Sequence, residues 1–308
     1  MTAERVRVPP IKCQGIKTKL VNWIRDNLPQ DLTGTYFEPF LGSGVVAFNL
    51  RPQKAFLSDS NPHIVAFYEQ VAKGRITPAL VSEFLKTEGE KLSAFGADYY
   101  YEVRDRFNAE HNPLDFLFLS RSCFNGLVRF NRKKLYNVPF GHKPNRFTRS
   151  YITKICNQVK WTSLLLRQND SWTIACMDFK EALLQAGPDD FIYCDPPYVG
   201  RHVDYFDSWS ETDEVELNAI LKGSGARFIL STWCGNKYRK NKYIDMIWSA
   251  YRVTTRQHFY YIGANETNRN SMTEALVLNF EPAAQTHLLR EQGQLDLFKA
   301  AASPQEAT

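Results

Sequence analysis

Four consecutive residues carry groups that could hold an exocyclic amino group for reaction: Asp195, Pro196, Pro197 and Tyr198. The carboxylate of Asp195 and the carbonyl of Pro196 are two acceptors that match the two N–H donors of such a group. Holding both hydrogens would move the nitrogen toward a tetrahedral geometry and free its lone pair for attack on a sulfonium methyl group. The prolines make the turn stiff, and the ring of Tyr198 could stack on a base. The alternative is a purely structural Pro-Pro turn.

A glycine-containing turn at residues 37–44 is predicted between a strand and a helix. Gly42 and Gly44 allow the backbone to turn tightly and to approach a ligand closely, and a turn used only for packing is the alternative. Asp59 lies at the tip of the next predicted strand, where its carboxylate is well placed to accept both ribose hydroxyls of a nucleoside cofactor. The alternative for Asp59 is a helix N-cap ahead of Pro62.

The charge beside this turn favours one cofactor over another. A dinucleotide-binding turn would have the spacing GxGxxG, but position 47 is alanine. Glu38, just before the turn, suits a cationic ligand. These features favour S-adenosylmethionine, which carries an ammonium and a sulfonium group, over NAD.

Strands and helices alternate at both ends of the chain and must position these turns. The apolar pattern predicts strands at 35–38, 54–57, 172–176, 190–194 and 226–231. Helices are predicted at 18–28, 45–50, 62–71, 179–186, 212–222 and 237–249. Two late runs, 252–261 and 273–280, are expected to form a closing antiparallel pair. The alternation implies an α/β fold with a Rossmann-like parallel sheet and helices on both of its faces.

A helical segment interrupts the alternation. Helices are predicted there at 78–92, 97–110, 113–122 and 149–166, with a loop or hairpin at 125–141. We therefore predict an inserted, mainly helical domain at 77–168, within a catalytic domain formed by 1–76 and 169–280. After Phe280 the apolar pattern lapses, which predicts a flexible tail at 281–308.

The inserted segment is strongly basic, although the whole chain has a net charge of only +5. Between Asp115 and Asp170 lie 54 residues without an acid, and eleven of them are Lys or Arg. Aromatic residues are interleaved with these cations: Phe124, Phe130, Tyr136, Phe140, Phe147 and Tyr151. Cations release counterions from phosphates and aromatic rings can stack on bases. The run therefore favours a nucleic-acid surface over the alternative, a solvated basic face.

The remaining composition argues against several classes of protein. No apolar run approaches the ~18 residues that span a bilayer, and the first residues contain no apolar signal region. The six cysteines form no CxxC pair and the six histidines show no metal-ligand spacing, so we expect neither a disulfide scaffold nor a metal site. Cys194 is next to Asp195, but we expect it to point into the core of the sheet. A reduced, cytoplasmic protein is the simplest interpretation.

The glycine turn and the Asp-Pro-Pro-Tyr turn together resemble those of the amino-group DNA methyltransferases, and their order around the insert is that of the α group. Residues 121–131 and 136–141 resemble the Dam-type (D12 class) adenine methylases, whereas 10–20 and 200–206 look closer still to the EcoRV-type modification methylase. The resemblance covers about residues 7–280. It implies an S-adenosylmethionine methyltransferase sheet with an inserted DNA-recognition domain. It also implies methyl transfer to adenine N6 at a specific duplex DNA site, with the base flipped.

The resemblance assigns cofactor contacts to matching positions. Lys17 and the glycine turn would hold the amino-acid end of S-adenosylmethionine, Asp59 its ribose, and the corner at 178–179 its adenine. Asp195 and Tyr198 would hold the target adenine beside the methyl group. Cys13 stands where the Dam pattern has tryptophan, so stacking on the cofactor there is lost or done elsewhere. The expected cofactor contacts are Cys13, Lys17, Glu38, Phe40, Gly42, Gly44, Asp59, Asp178, Phe179 and Asp195.

The resemblance also assigns contacts with duplex DNA. These are Lys12, Phe124, Asn125, Leu127, Arg129, Asn131, Lys133, Lys134 and Pro139. Phe124 and Asn125 would enter the duplex where the adenine leaves, Arg129 and its apolar neighbours would read adjacent base pairs, and Lys12 would read the outer guanine. Lys134 replaces a glycine of the Dam pattern, which changes the recognition hairpin. The matching positions suggest a GAT half-site, with GATATC as the first expectation and GATC as the second.

Two other functions fit parts of the sequence. The Asp-Pro-Pro-Tyr turn also occurs in enzymes that methylate adenine in RNA, but the insert resembles readers of duplex DNA. A sequence-specific DNA-binding protein without catalysis is the second alternative. The intact residues 195–198 and Asp59 argue against it.

The predicted tail contains a short apolar run that has no core to join. Its residues are Gln294, Leu295, Leu297 and Phe298. They resemble the peptide by which bacterial polymerases and repair proteins dock on the replicative sliding clamp. On a flexible tether, such a contact would raise the local concentration of the protein at newly replicated DNA. The alternative is that the run packs on the sheet of this chain or on another copy.

Overall fold

A computed structural model describes residues 5–199, 209–236, 239–259 and 271–282. These residues form a seven-stranded sheet. Its strands are β1 Tyr36–Glu38, β2 Ala55–Asp59, β3 Trp172–Cys176, β4 Phe191–Cys194, β5 Arg227–Gly235, β6 Arg252–Phe259 and β7 Ser271–Leu278. They lie in the order β3-β2-β1-β4-β5-β7-β6. The expected α/β fold is confirmed.

The first five strands are parallel, and β7 runs antiparallel to both β5 and β6. The carboxyl ends of β1, β2 and β4 therefore meet at one edge of the sheet, where loops of open α/β sheets bind ligands. Because β7 is reversed, its first residues lie at this same edge. The closing antiparallel pair expected from the sequence is also confirmed.

Ten α-helices occur in the described part of the chain. They are α1 Val21–Asp26, α2 Val45–Leu50, α3 Pro62–Ala72, α4 Pro78–Phe95, α5 Ala97–Glu110, α6 Pro113–Ser122, α7 Arg149–Gln168, α8 Phe179–Leu183, α9 Glu211–Ser224 and α10 Lys242–Met246. Local sequence explains where several begin. Asn61, Thr77 and Asn112 cap α3, α4 and α6 with their side chains, and each precedes a proline at the start of the helix.

The segment predicted at 237–249 as one helix is the main error in the secondary structure. The helix is only Lys242–Met246, and the side chain of Asn241 caps it by accepting from the N–H of Tyr243 at 3.1 Å. The Asn241 side chain also donates to the carbonyl of Trp233 at 2.9 Å, which holds this residue at the end of β5. A capping asparagine bound to a strand makes the helix begin later than apolar spacing predicts.

Helices α4 to α7 occupy the stretch between α3 and β3 that was predicted to be an inserted domain. Their apolar residues share one hydrophobic cluster with α3 and the sheet, in which Leu57, Phe67 and Leu117 are all buried. These helices are therefore packed directly against α3. The division at residues 77 and 168 stays a prediction. None of the described helices is long and apolar enough to cross a membrane.

Candidate active site and DNA interface

Asp195 follows the buried strand β4 and lies at the carboxyl edge of the sheet. The Nζ atom of Lys17 is 2.7 Å from its Oδ1 atom, and the Lys17 side chain is only 4% exposed. The same ammonium donates to the carbonyl of Gly15 at 3.1 Å and lies 5.4 Å from the centre of the Tyr198 ring. Lys17 thus joins the N-terminal segment to both polar residues of the Asp-Pro-Pro-Tyr turn.

The environment of Asp195 works in two directions on its protonation. Burial raises the pKa of this carboxyl, and the nearby negative charge of Glu274 adds to the increase. The ion pair and hydrogen bond with Lys17 lower the pKa instead. Lys17 therefore favours the ionised carboxylate, which is the form that can only accept hydrogen bonds.

Tyr198 is bound to a residue that the sequence analysis did not identify. Its hydroxyl donates to Oε2 of Glu274 at 3.1 Å. Glu274 is fully buried in β7, among the apolar residues of that strand. An acid inside a predicted apolar strand is the one sequence signal that could have pointed to it.

Glu38 ends β1, the neighbour of β4, and is buried together with Tyr36. The hydroxyl of Tyr36 donates to Oε2 of Glu38 at 2.8 Å. Burial raises the pKa of Glu38 to about 8; the tyrosine hydrogen bond lowers it, and the charge of Asp195 raises it further. An acid with this pKa changes its charge near neutral pH, so it responds to a cation placed beside it.

The glycine turn after β1 is held against the end of β2 by Asp59. The Oδ2 atom of Asp59 accepts from the N–H of Gly42 at 2.7 Å, and Oδ1 accepts from the N–H of Asn61 at 2.9 Å. Gly42 and Gly44 have φ angles of 49° and 72°. The helix-cap alternative for Asp59 is wrong, because the side chain of Asn61 caps α3.

The surroundings of the two glycines differ. A Cβ atom on Gly44 would lie 2.5 Å from the ring of Phe48, so this position is closed by packing. A Cβ atom on Gly42 would meet nothing within 4 Å. There is therefore open space beside Gly42 in which a ligand could lie against the turn.

Three aromatic rings form a corner next to this turn. Phe40 stacks on Phe179 with ring centres 5.5 Å apart, and Trp209 contacts them at 5.4 and 5.2 Å. Asp178 precedes Phe179, and its side chain caps α8 by accepting from a backbone N–H. Trp209 was not among the residues predicted from the sequence; its indole N–H donates to Glu214 at 2.8 Å.

Cys13 and Cys194 are poor nucleophiles, because their thiols have raised pKa values. Burial raises the pKa of Cys13, and the negative charge of Asp59 raises it further. Cys194 is fully buried in β4, and burial raises its pKa as well, which confirms the expectation that it points into the core. Among the described residues, no cluster of His, Cys, Asp and Glu could hold a metal ion.

The segment after α6 forms a hairpin, closed by the antiparallel bridges Cys123–Phe140 and Phe130–Tyr136. Phe124 is 44% exposed and stands at the base of this hairpin, next to Asn125, whose φ is 52°. The N–H of Phe124 donates to the carbonyl of the exposed Pro139 at 2.9 Å. These three expected DNA contacts therefore form one exposed group.

Lys12 reaches this group from the N-terminal segment. A Cβ atom on Gly126 would come within 2.4 Å of the Lys12 side chain, so glycine is needed for the lysine to lie across the turn. Burial lowers the pKa of Lys12, and the charge of Arg146 adds to this decrease. The structure thus brings together Lys12 and residues more than a hundred positions later.

Arg129 and Leu127 are less exposed than this group. The Nε atom of Arg129 donates to the side-chain oxygen of Asn137 at 2.8 Å, and Nη2 donates to its carbonyl at 3.1 Å. Leu127 packs on the hydrophobic core, and its carbonyl accepts from the hydroxyl of Tyr136 at 3.2 Å. Asn137 therefore fixes the direction of the arginine, a partner that sequence reasoning did not identify.

The three remaining expected DNA contacts lie at the far end of the hairpin. The side chain of Asn131 accepts from the N–H groups of Lys133 and Leu135 at 2.8 and 3.1 Å, so it stabilises the turn. Lys134 has a φ of 59°, in the left-handed region that favours glycine. The structure does not bring this turn together with Phe124.

Part of the basic and aromatic run is structural, which corrects the view of it as one nucleic-acid surface. Four of its aromatic residues are buried: Phe130, Tyr136, Phe140 and Phe147. Arg121 is buried too and donates to the carbonyl of Pro10 and to Gln158, so it ties the N-terminal segment to α7. A hairpin without regular strands needs side-chain packing to hold its shape, and these residues supply that packing.

The strand order, the reversed seventh strand and the polar turns at the carboxyl edge are those of a Rossmann-like methyltransferase. The chain belongs to the D12 class N6 adenine-specific DNA methyltransferase family, whose model matches residues 14–262. Membership implies S-adenosylmethionine as the methyl donor and DNA as the substrate.

Three relatives illustrate the similarity. Type II methyltransferase M.MjaIII of Methanocaldococcus jannaschii is 33% identical over 212 residues, covering 62% of this chain and 68% of that protein. A DNA adenine methylase of Haemophilus influenzae is 32% identical over 196 residues, covering 62% and 64%. Type II methyltransferase M1.LlaDCHI of Lactococcus lactis subsp. cremoris is 27% identical over 291 residues, covering 88% and 95%.

Several expectations stay predictions. The closer resemblance to the EcoRV type is one, and its segment 200–206 lies outside the described residues. The tail residues 294–298 also lie outside them. The cytoplasmic location is likewise a prediction.

Proposed function

We propose that this chain transfers a methyl group from S-adenosylmethionine to N6 of an adenine flipped out of duplex DNA, at the Asp-Pro-Pro-Tyr turn. The observation that carries the proposal is the 2.7 Å ion pair between Lys17 and Asp195, at the edge of the sheet where Glu38 also ends its strand. This pair sets a positive charge against a half-buried carboxylate, which favours its ionised form, beside a turn that has space for a ligand.

The residues around the turn fit the cofactor by charge and by space. S-adenosylmethionine, when bound, supplies an electrophilic methyl group on a sulfonium. Glu38 is a buried acid that suits the positive charge of the ligand, and the buried ammonium of Lys17 suits the negative charge of the ligand's carboxylate. The open space beside Gly42 leaves room for the amino-acid end. We assign Asp59 to the ribose.

The aromatic corner suits the adenine of the cofactor. The rings of Phe40 and Phe179 stack on each other beside the glycine turn, and Trp209 packs edge-to-face against Phe40. Planar apolar walls with a polar rim are typical of nucleoside pockets. Asp178 supplies the polar rim, since its exposed carboxylate lies directly before Phe179.

The target amino group is activated by its acceptors. Asp195 and the carbonyl of Pro196 would each accept a hydrogen bond from one N6–H. Holding both hydrogens in this way draws the nitrogen lone pair out of conjugation with the ring. Tyr198 would stack on the flipped base and Pro197 would keep the turn rigid. After transfer the nitrogen gives up a proton, and a carboxylate whose pKa burial has raised can accept it.

The exposed group at the base of the hairpin suits the DNA side of the reaction. Phe124 presents an exposed ring next to Asn125, and Lys12 lies beside them across Gly126. An apolar ring inserted in a duplex can occupy the place of an extruded base. Arg129, held by Asn137, offers its guanidinium to a base edge in the major groove.

We propose GATATC as the first candidate target and GATC as the second, on the strength of the matching positions in the insert. Methylation-sensitive sequencing of DNA from cells that express the chain gives the base, the position and the site in one measurement. Adenine methylation confined to GATATC or to GATC supports this assignment. Methylation at another sequence would show that the assigned site is wrong. Comparing methyl incorporation into duplex DNA and into RNA separates the RNA alternative.

The catalytic assignment is tested by Asp195→Ala. The variant should lose nearly all methyl transfer but still bind DNA, because phosphate contacts dominate affinity. Asp170→Ala, which changes an exposed acid before β3, is the matched control and should keep its activity. Substantial turnover by the Asp195 variant would show that another group holds the amino nitrogen.

A further inference from the structure

Glu274 is a buried acid that the chemistry proposed above does not use, although it lies against the catalytic turn. Its side chain is 0% exposed, and the residues that follow it in β7 are apolar core. The strand register places it opposite Trp233 of β5 and Arg256 of β6. Burying an acid in a sheet is costly, so an acid kept there needs a specific partner.

One partner is the tyrosine of the catalytic turn. The Tyr198 hydroxyl donates to the Glu274 carboxylate at 3.1 Å, and the Lys17 ammonium lies 5.4 Å from the centre of the same ring. The ring is therefore held at its hydroxyl by one residue and approached on its face by another. The backbone of the rigid turn is a third fixed point.

We propose that Glu274 is a positioning residue for methyl transfer, one that fixes the plane of the Tyr198 ring before the target base arrives. The inference rests on the proposed function of the Asp-Pro-Pro-Tyr turn. A tyrosine ring without this hydrogen bond could rotate about its side-chain torsions, and a base stacked on it would move relative to Asp195. Small displacements of a reacting group lower rates strongly, so holding the ring in advance favours the transfer.

Glu274 could also affect methyl transfer through Asp195, because its charge raises the pKa of that carboxyl. Substitutions separate the two routes. Glu274→Gln removes the charge but keeps an oxygen that can accept from Tyr198. Tyr198→Phe keeps the ring and the charge but removes the hydrogen bond. Glu274→Ala removes both the charge and the bond.

The experiment measures single-turnover methyl transfer on a duplex with one target site. Glu274→Ala and Tyr198→Phe should each lower the rate roughly tenfold, the effect of losing one hydrogen bond to a charged group. The double variant should be no slower than either single variant, because both remove the same bond. Glu274→Gln should recover the rate to within about threefold of the wild type, with cofactor and DNA affinity unchanged. A further tenfold loss in the double variant, or a Gln variant as slow as the Ala variant, overturns the proposal.

A second readout does not depend on turnover. With 2-aminopurine in place of the target adenine, Glu274→Ala and Tyr198→Phe should give the same altered fluorescence in the complex, since both free the ring on which the base stacks. Unequal responses contradict the inference. If Glu274→Ala does not fold, Glu274→Gln in the Tyr198→Phe background decides: no added loss supports the proposal, and an added loss overturns it.

The Asp195→Ala variant distinguishes this inference from the function on which it rests. If Asp195→Ala is inactive while Glu274→Ala and Tyr198→Phe react at the wild-type rate, only the role of Glu274 is wrong. If Asp195→Ala keeps its turnover, the catalytic assignment itself is wrong.

Discussion

Lys17 and Asp195 form the ion pair at the centre of the site, with 2.7 Å between Nζ and Oδ1. One lies before α1 near the start of the chain, and the other follows β4. Partial burial of Asp195 raises its pKa, and the ammonium of Lys17 opposes this change. The pair therefore favours the ionised form of the carboxylate.

Lys17→Met should move the acid limb of the pH–rate profile to higher pH. Without the ammonium, burial raises the pKa of Asp195 unopposed, so a higher pH is needed to ionise it. Single-turnover rates at saturating cofactor and DNA, measured across the neutral range, give the position of the limb. Lys19→Met, at an exposed position two residues away, is the control. An unshifted limb with a uniformly lower rate would mean that Lys17 serves only the cofactor.

Cofactor affinity should depend on pH through Glu38. Burial raises its pKa to about 8, so at neutral pH it is mostly protonated. A cationic ligand prefers the ionised form, and binding should therefore release a proton. The dissociation constant of S-adenosylmethionine should fall as pH rises toward about 8, by at most roughly tenfold per pH unit. Calorimetry in buffers of different ionisation enthalpy counts the proton, and Glu38→Gln should abolish its release.

The same carboxyl should also affect stability without the cofactor. Its pKa is raised from the ordinary value of 4.5 to about 8, so between these values the folded state binds more protons than the unfolded state. The free energy of unfolding should therefore fall as pH rises through this window. Denaturant unfolding at several pH values measures the slope. A slope equal in wild type and Glu38→Gln would assign it to other groups.

Arg129→Ala should relax the choice of site more than it weakens binding. Losing a side-chain contact with a base edge costs about 1–3 kcal/mol at that position. Asn137→Ala should have a smaller effect of the same kind, because it removes the bond that directs the guanidinium. Relative methylation rates on cognate and one-base-altered duplexes are the measurement. Unchanged ratios in Arg129→Ala would exclude it as a reader of sequence.

Lys154, exposed on α7, is the comparison for a phosphate contact. Lys154→Ala should weaken binding to all sequences alike and reduce the salt dependence of affinity. Arg167→Ala provides the matched control from the other end of the same helix, which leads into the amino end of β3. Equal losses in both variants would mean that charge, and not position, determines the effect.

Lys134→Gly should stabilise the hairpin. Lys134 has a φ of 59°, a conformation that costs a residue with a side chain about 1 kcal/mol relative to glycine. Lys133→Gly, at the preceding position, should instead destabilise the protein, because glycine adds freedom to the unfolded chain without relieving strain. Thermal unfolding of the two variants gives the comparison. A lower melting temperature for Lys134→Gly would show that the lysine side chain stabilises the turn.

The tail should dock on the sliding clamp through its apolar run. Replacing Leu297 and Phe298 by alanine should leave methylation of short duplexes unchanged but abolish recovery of the protein on immobilised clamp, because the peptide loses two of its anchors. Equal recovery of wild type and double variant, or a lower stability of the variant, would favour a tail packed on the enzyme.

The sequence alone was sufficient for the order of elements and for the two reactive turns. Strand β3 and helices α5 and α6 begin and end where apolar periodicity, proline and capping residues predicted. These signals act over a few neighbouring residues, so they are visible in one dimension. The positions of Gly42, Asp59 and Asp195 could also be predicted from the sequence, since each lies just after a predicted strand.

Only the tertiary structure decided which residues meet at those turns. Glu274 reaches Tyr198 because β7 is reversed, and Asn137 reaches Arg129 because the hairpin folds back on itself. The tertiary structure also exposes Phe124 and buries Phe130, although both are phenylalanines in the same basic run. Contacts and burial depend on the packing of segments far apart in sequence, and residue type and local spacing carry no record of that packing.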